Sequence, residues 1–175
     1  MSPGSALSPC ERTAVFSRCG RYRYTLGRRW SVDGEHIVWI MLNPSQADET
    51  NDDATIRRCM SFSRIWGYGG LIVVNLYALC ATNPRQLLSV ADPVGPDNDC
   101  HVAEVCEALF PARRRTVIAA WGANPLAQAR ARVVLSIARR DIDCLGLTGT
   151  GHPRHPLYVP ATQPRVAYAR QGFSL

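Results

Sequence analysis

The densest chemistry in the chain lies in and behind the block Met41-Leu42-Asn43-Pro44-Ser45. Residues 43–55 contain Asn43, Ser45, Gln46, Asp48, Glu49, Asn51, Asp52, Asp53 and Thr55. A turn needs far fewer polar groups than this. Three further points concentrate polar or ring chemistry: Asn75, Trp121-Gly122-Ala123-Asn124, and Gly151-His152-Pro153-Arg154-His155-Pro156-Leu157-Tyr158. These residue types suit cleavage of an N-glycosidic bond, which passes through an oxocarbenium-like sugar. A histidine on a rigid loop, His155, can hydrogen-bond the departing base as it gains negative charge. Water is positioned by Asn43 or by a carboxylate, Asp48, Asp52 or Asp53. Asn75 can pair a base edge with both a donor and an acceptor. Tyr77 or Trp121 can stack on a base that has left the helix. Arg154 and Arg57 can contact phosphate, and Pro44, Ser45 and Gly122 stand beside these groups as substrate-binding positions.

Each group also has a plainer role. Asn43-Pro44-Ser45 makes a capped turn, Asn75 satisfies backbone groups at a strand end, and Asp52 and Asp53 cap a helix. Trp121 fits a core as well as a stacking platform. His152 is a weaker functional candidate than His155, and His36 and His101 read as solvated or structural. The run Arg113-Arg114-Arg115 precedes a strand and reads as a solvated turn. What raises the chemical reading is that the four groups follow four successive apolar runs.

Those runs define the elements. Glu35–Leu42, Leu71–Leu76, Thr116–Trp121 and Ile142–Leu147 are short, apolar and bounded by turn residues, the pattern of buried strands. Between them lie helical patterns: from Asp52 or Asp53 to about Trp66, over Asn98–Phe110, and over Pro125–Arg139. The stretch 81–97 holds three prolines and reads as a loop with one helical turn at Arg85–Leu88. Arg21–Trp30 alternates as an edge hairpin turning near Gly27. Strands alternating with helices imply βαβ units, and the strand ends of a parallel sheet share one edge, where open α/β proteins bind ligands. The expected fold is a three-layer α/β/α sandwich around a central, mainly parallel sheet of four to five strands. Residues 1–19 are expected to be a flexible tail and 20–170 a single domain.

Composition narrows the class. The 175 residues are 46% hydrophobic and 19% charged, as in a soluble globular domain. No apolar run approaches a membrane span, and the N-terminus lacks a signal-peptide pattern, so a cytoplasmic protein is expected. Seven cysteines, with no C-x-x-C pair, suggest neither a disulfide framework nor zinc. The absence of H-x-x-x-H, P-loop, G-x-G-x-x-G and G-x-S-x-G patterns leads to the expectation of no metal and no cofactor. The net charge of +6 rests on arginine alone, as the chain has no lysine. Arginine forks phosphate and stacks on bases, although a GC-rich genome yields the same bias.

At these motifs the chain resembles two families. Over most of residues 20–165 it is similar to the domain of unknown function 1643 family, through Leu42-Asn43-Pro44-Ser45, Asp53-x-Thr55, Val74-Asn75-Leu76, Trp121-Gly122 and Pro153-Arg154-His155-Pro156-Leu157-Tyr158. More remotely, the motif order resembles the uracil-DNA glycosylase superfamily. Asn43-Pro44 is similar to its first motif, Asn75 to its base-reading Asn, Trp121-Gly122 to its third element and His155-Pro156 to its last. Leu157 stands where that superfamily has Ser, and the segment Asp48–Asp53 is unusual for it. The resemblance implies a cofactor-free glycosylase-like hydrolase acting on a modified or damaged base. Asn43, Asp53 and His155 would be catalytic. Pro44, Ser45, Asp48, Asn75, Tyr77, Trp121, Gly122 and Arg154 would bind substrate. The expected partner is nucleic acid, DNA before RNA, or a nucleotide, and no membrane. Two alternatives use the same cleft: a non-catalytic nucleic-acid or nucleotide-binding module, and a hydrolase of small nucleosides or nucleotides.

Overall fold

The computed structural model describes residues 11–45, 47–107, 116–138 and 141–168. They form seven strands and three α-helices in the order β1 (Glu11–Phe16), β2 (Arg23–Arg29), β3 (His36–Met41), α1 (Ala54–Ile65), β4 (Gly70–Asn75), α2 (Asn98–Glu107), β5 (Val117–Ala119), α3 (Ala127–Ala138), β6 (Asp143–Cys144) and β7 (Val166–Ala167). One sheet takes the order β1-β2-β4-β3-β5-β6-β7. The central four strands are parallel: β3 pairs with β4 and β5, and β5 with β6. β1, β2 and β7 pair antiparallel at the flanks.

The protein is therefore α/β, with a mixed seven-stranded sheet in place of the expected four to five mainly parallel strands. The parallel centre was visible because strands covered on both faces must be apolar throughout, as Ile37–Met41 and Val117–Ala119 are. The flanks were not. Glu11–Phe16, assigned by composition to the tail, is an exposed edge strand held by β2. Residues 23–29 make one strand and not a hairpin, and the actual turn spans Ser17 to Tyr22, closed by Ser17 N–H donating to Tyr22 O at 2.9 Å. Gly27 sits mid-strand because Thr13 Oγ1 occupies the space of a side chain: a Cβ there would lie 2.3 Å from it. The predicted helix ends at 108–110 and at Arg139, the Arg113–Arg115 turn and residues 1–10 lie outside the described residues.

Two cores cover the two faces. On one face Ile37, Trp39, Met41, Leu71, Val73, Ile118 and Ala120 pack against Ile56, Cys59, Met60 and Phe62 of α1. Trp39 is fully buried, donates from Nε1 to Ser63 Oγ at 3.1 Å and stacks on Trp66 at 5.8 Å. On the other face Val38, Ile40, Val74, Leu76, Val117 and Ala119 pack against α2 and α3. Among the described residues, no helix is long and apolar enough to cross a membrane.

The ends of the parallel strands converge as their shared direction requires. Behind β3 and β4, Tyr77 N–H donates to Leu42 O at 3.0 Å and Ala81 N–H to Pro44 O at 2.9 Å. Behind β5 and β6, Gly122 N–H donates to Pro153 O at 3.1 Å. The four motif-bearing loops are thus stitched in pairs along one edge.

Candidate active site

The site is built around the N-terminus of α1. A helix following β3 in a parallel crossover runs back along the sheet, so its first turn lies at the edge where the strands end. Asp53 caps it, Oδ1 accepting Ile56 N–H at 2.8 Å. Arg58, one turn on, donates to Val159 O at 2.6 Å and Pro156 O at 3.3 Å. These bonds clamp the loop containing His155 onto α1, and within that loop Pro156–Tyr158 forms a 3₁₀ turn.

His155 is half-buried and held from two sides. Its Nδ1 accepts Leu157 N–H at 3.3 Å, which makes Nε2 the protonated nitrogen of the neutral ring. Gly122 adopts φ +76° beneath it, and a Cβ at Gly122 would come within 3.3 Å of His155 Cβ. Burial holds the imidazole pKa below its ordinary value, and the Asp53 carboxylate pulls it partly back. His155 is therefore a neutral hydrogen-bond donor at neutral pH, within reach of the Asp53 charge.

Asn75 ends β4. Leu71 and Val73 pack under α1 and Val74 under α2 and α3, so strand alternation puts Asn75 on the α1 face. It is 1% exposed, and both Oδ1 and Nδ2 are buried without a hydrogen-bond partner. In native structures nearly all such atoms are met by a protein group, an ordered water, an ion or a ligand. Its backbone is well anchored: Asn98 Nδ2 donates to Asn75 O at 3.1 Å.

The other predicted residues divide. Asn43 donates from Nδ2 to Ala81 O at 2.7 Å and Pro44 O at 2.9 Å, which leaves Oδ1 as its remaining polar atom. Pro44 is buried in this turn, and Ser45 is exposed. Asp48 folds its own loop: Oδ1 accepts Thr50 N–H at 2.7 Å, Thr50 Oγ1–H at 2.8 Å and Asn51 N–H at 2.8 Å, which hold the carboxyl far below the usual carboxylate range. Asp52 is committed to arginines, 2.8 Å from Arg28 and 3.1 Å from Arg12. Trp121 is 3% exposed in the α2/α3 core, edge-on to Tyr168, and Tyr77 donates its hydroxyl to Leu126 O at 2.7 Å on that same side. Both rings thus pack on the face opposite Asn75. Arg154 is exposed, its Nε donating to Leu147 O at 3.0 Å, and exposed Arg57 donates to Asp52 O. The structure brings together Asp53, Gly122 and His155 around the first turn of α1. Asn75 is on the same face and edge.

Two residues outside the sequence-derived site candidates belong here, Arg58, expected on the exposed face of α1 but half-buried, and Arg23. Arg58 ties the histidine loop to the helix. Arg23, 3% exposed, enters from β2, donates to Ala47 O and feels the charges of Asp53 and Asp48. A bulge explains why its role was hidden: the β1–β2 register passes from Val15↔Thr25 to Phe16↔Arg23 and skips Tyr24, which inverts the side-chain alternation. Among the described residues no cluster of three or more His, Cys, Asp or Glu is arranged to hold a metal.

A family model described as "Protein of unknown function (DUF1643)" matches residues 23–157, from Arg23 at the start of β2 to Leu157 beside the histidine. Among curated proteins and solved structures no match to the chain is found. The chain belongs to the DUF1643 family.

Proposed function

We propose that this edge of the sheet binds a nucleobase and that the protein hydrolyses its N-glycosidic bond. The observation that carries the reading is Asn75, whose amide is buried and unpaired on the face and edge occupied by Asp53 and His155. A buried amide with a bare donor beside a bare acceptor complements the hydrogen-bonding edge of a base. His155 Nε2–H donates to the base nitrogen as the bond to C1′ breaks and the electron pair leaves with the base. Water adds to C1′, held by Asn43 Oδ1 or by Asp53, and its proton passes to the carboxylate. The three-layer arrangement and motif order agree with a glycosylase-like sandwich. Beside the histidine, Tyr158 is 82% exposed and Leu157 42%, apolar groups suited to filling a duplex from which a base has been withdrawn.

Incubation with oligonucleotides carrying uracil, hypoxanthine and oxidised bases, followed by cleavage at abasic sites, tests the reaction. The parent should release at least one base, and His155→Ala and Asn75→Ala should lose at least about a hundredfold in rate. No release across the panel would overturn the catalytic reading. A second reading, a binding module without turnover, is favoured by Asn43 and Asp48, whose side chains are largely consumed by their own loops. Oligonucleotide binding that survives His155→Ala, with no release by the parent, would establish it.

A further inference from the structure

Among the described residues three arginines are buried, and two are fully matched. Arg28 bonds Asp52 at 2.8 Å and the carbonyls of Gly27 and Asp48. Arg130 pairs with Asp99 and donates from Nε to Leu76 O at 2.7 Å. Arg23 is different: its guanidinium makes one hydrogen bond, to Ala47 O, no carboxylate among the described residues lies within ion-pair distance, and its Nε–H is buried without an acceptor. A buried guanidinium donor left bare costs stability unless something outside the chain meets it.

The place is where β2 and β4 separate. Their pairing is lost between Leu26↔Val73 and the bridge Tyr22↔Leu79, with three residues on one side and five on the other. Arg23 and Asn75 are the buried polar side chains in this gap, and both carry unpaired atoms. Burial opposes the charge of Arg23, and Asp53 and Asp48 act in its favour only through space. A further anion would meet those carboxylates, so a neutral carbonyl oxygen suits the bare Nε–H better than phosphate does.

We propose that Arg23 is a specificity-determining residue that donates from Nε to a ring carbonyl of the base read by Asn75, selecting bases with a carbonyl beside a ring N–H over amino-substituted bases. The assignment rests on the nucleobase reading above. Asn75 alone accepts either class, because its amide can reverse donor and acceptor. Arg23 has only donors and rejects an amino group placed against it.

The test is titration of the ¹⁵N-labelled full chain with free uracil, hypoxanthine and adenine, following the side-chain signals of Arg23 Nε–H and Asn75 Nδ2–H₂. Uracil and hypoxanthine should shift both signals, while adenine, which carries an amino group where hypoxanthine has its carbonyl, should bind at least about tenfold more weakly and leave Arg23 unmoved. Arg23→Lys, which keeps the charge and lacks the Nε donor, should bring the two classes within about threefold if it folds; the signals of the parent decide the matter if it does not. An unmoved Arg23 signal while Asn75 shifts would overturn the role of Arg23 and leave the nucleobase site standing. Equal shifts of Arg23 by both classes would overturn the selectivity. No shift of either residue with any base would overturn both readings.

Discussion

Asp53 does two jobs that ordinary substitutions can separate. Its Oδ1 caps α1 through Ile56 N–H, while its charge faces His155 and Arg23. Asn caps a helix about as well as Asp, whereas Ala does not. Asp53→Ala should therefore lower stability by about 1 kcal/mol in urea unfolding. Asp53→Asn should leave stability nearly unchanged while lowering base release, if the carboxylate takes the proton of water. The same Asn variant should depress the imidazole of His155 further, since the carboxylate is what draws it upward; NMR titration of the ring protons would show it. The sign of the pH dependence follows from burial. The unfolded histidine binds its proton near 6.5 and the folded one less readily, so the unfolded state takes up the proton first as pH falls. Stability from this group is full above pH 6.5 and declines below it. His155→Gln should flatten that acid-side decline when unfolding is compared at pH 7.5 and 5.5.

At the scale of elements, the loop between β3 and α1 buries Ala47 in the core and is otherwise held by arginines. Arg28 on β2 binds Asp52 and the carbonyl of Asp48, while Arg12 on β1 reaches Asp52 and, at 2.8 Å, Thr50 O. The side chain of Arg28 is fully buried, so removal of its carboxylate strands a guanidinium. Asp52→Ala should cost about 3 kcal/mol in chemical denaturation. The double variant Arg28→Met, Asp52→Ala should recover part of that loss, because no buried charge is left unpaired. Gly122 sets the other side of the site. Its positive φ strains any side chain and a methyl group would press on His155 Cβ at 3.3 Å, so Gly122→Ala should lower base release with a smaller effect on stability, measured side by side on one preparation.

At the scale of the whole molecule, charge sets how a polymeric ligand differs from a small one. The chain carries 20 arginines and a net charge of +6. An oligonucleotide that contacts about four phosphates should bind with a log–log salt slope of about −3 to −4. A free base in the Arg23–Asn75 gap touches no phosphate and should bind almost independently of salt. Isothermal titration at 50 and 200 mM salt separates the cases. A salt-insensitive oligonucleotide would place the polymer backbone off the protein and favour a small nucleoside as the natural ligand.

Sequence alone determined the parallel centre of the sheet, the helices between its strands and the edge where chemistry gathers. These are local properties: apolar runs that must be buried on both faces, and Asp53 placed where a helix needs its cap. The pairing of Asn43 with Ala81, the consumption of Asp48 within its own loop and the burial of Trp121 and Tyr77 on the far face were decided by tertiary structure. So were the edge strands, since Glu11–Phe16 is too polar and Val166–Ala167 too short to be recognised without partners. Arg23 shows the reason most clearly. Its sequence context is an alternating strand in which an arginine reads as solvent-facing. One skipped residue in the β1–β2 register turns it inward, and register is set by contacts between segments distant in the chain.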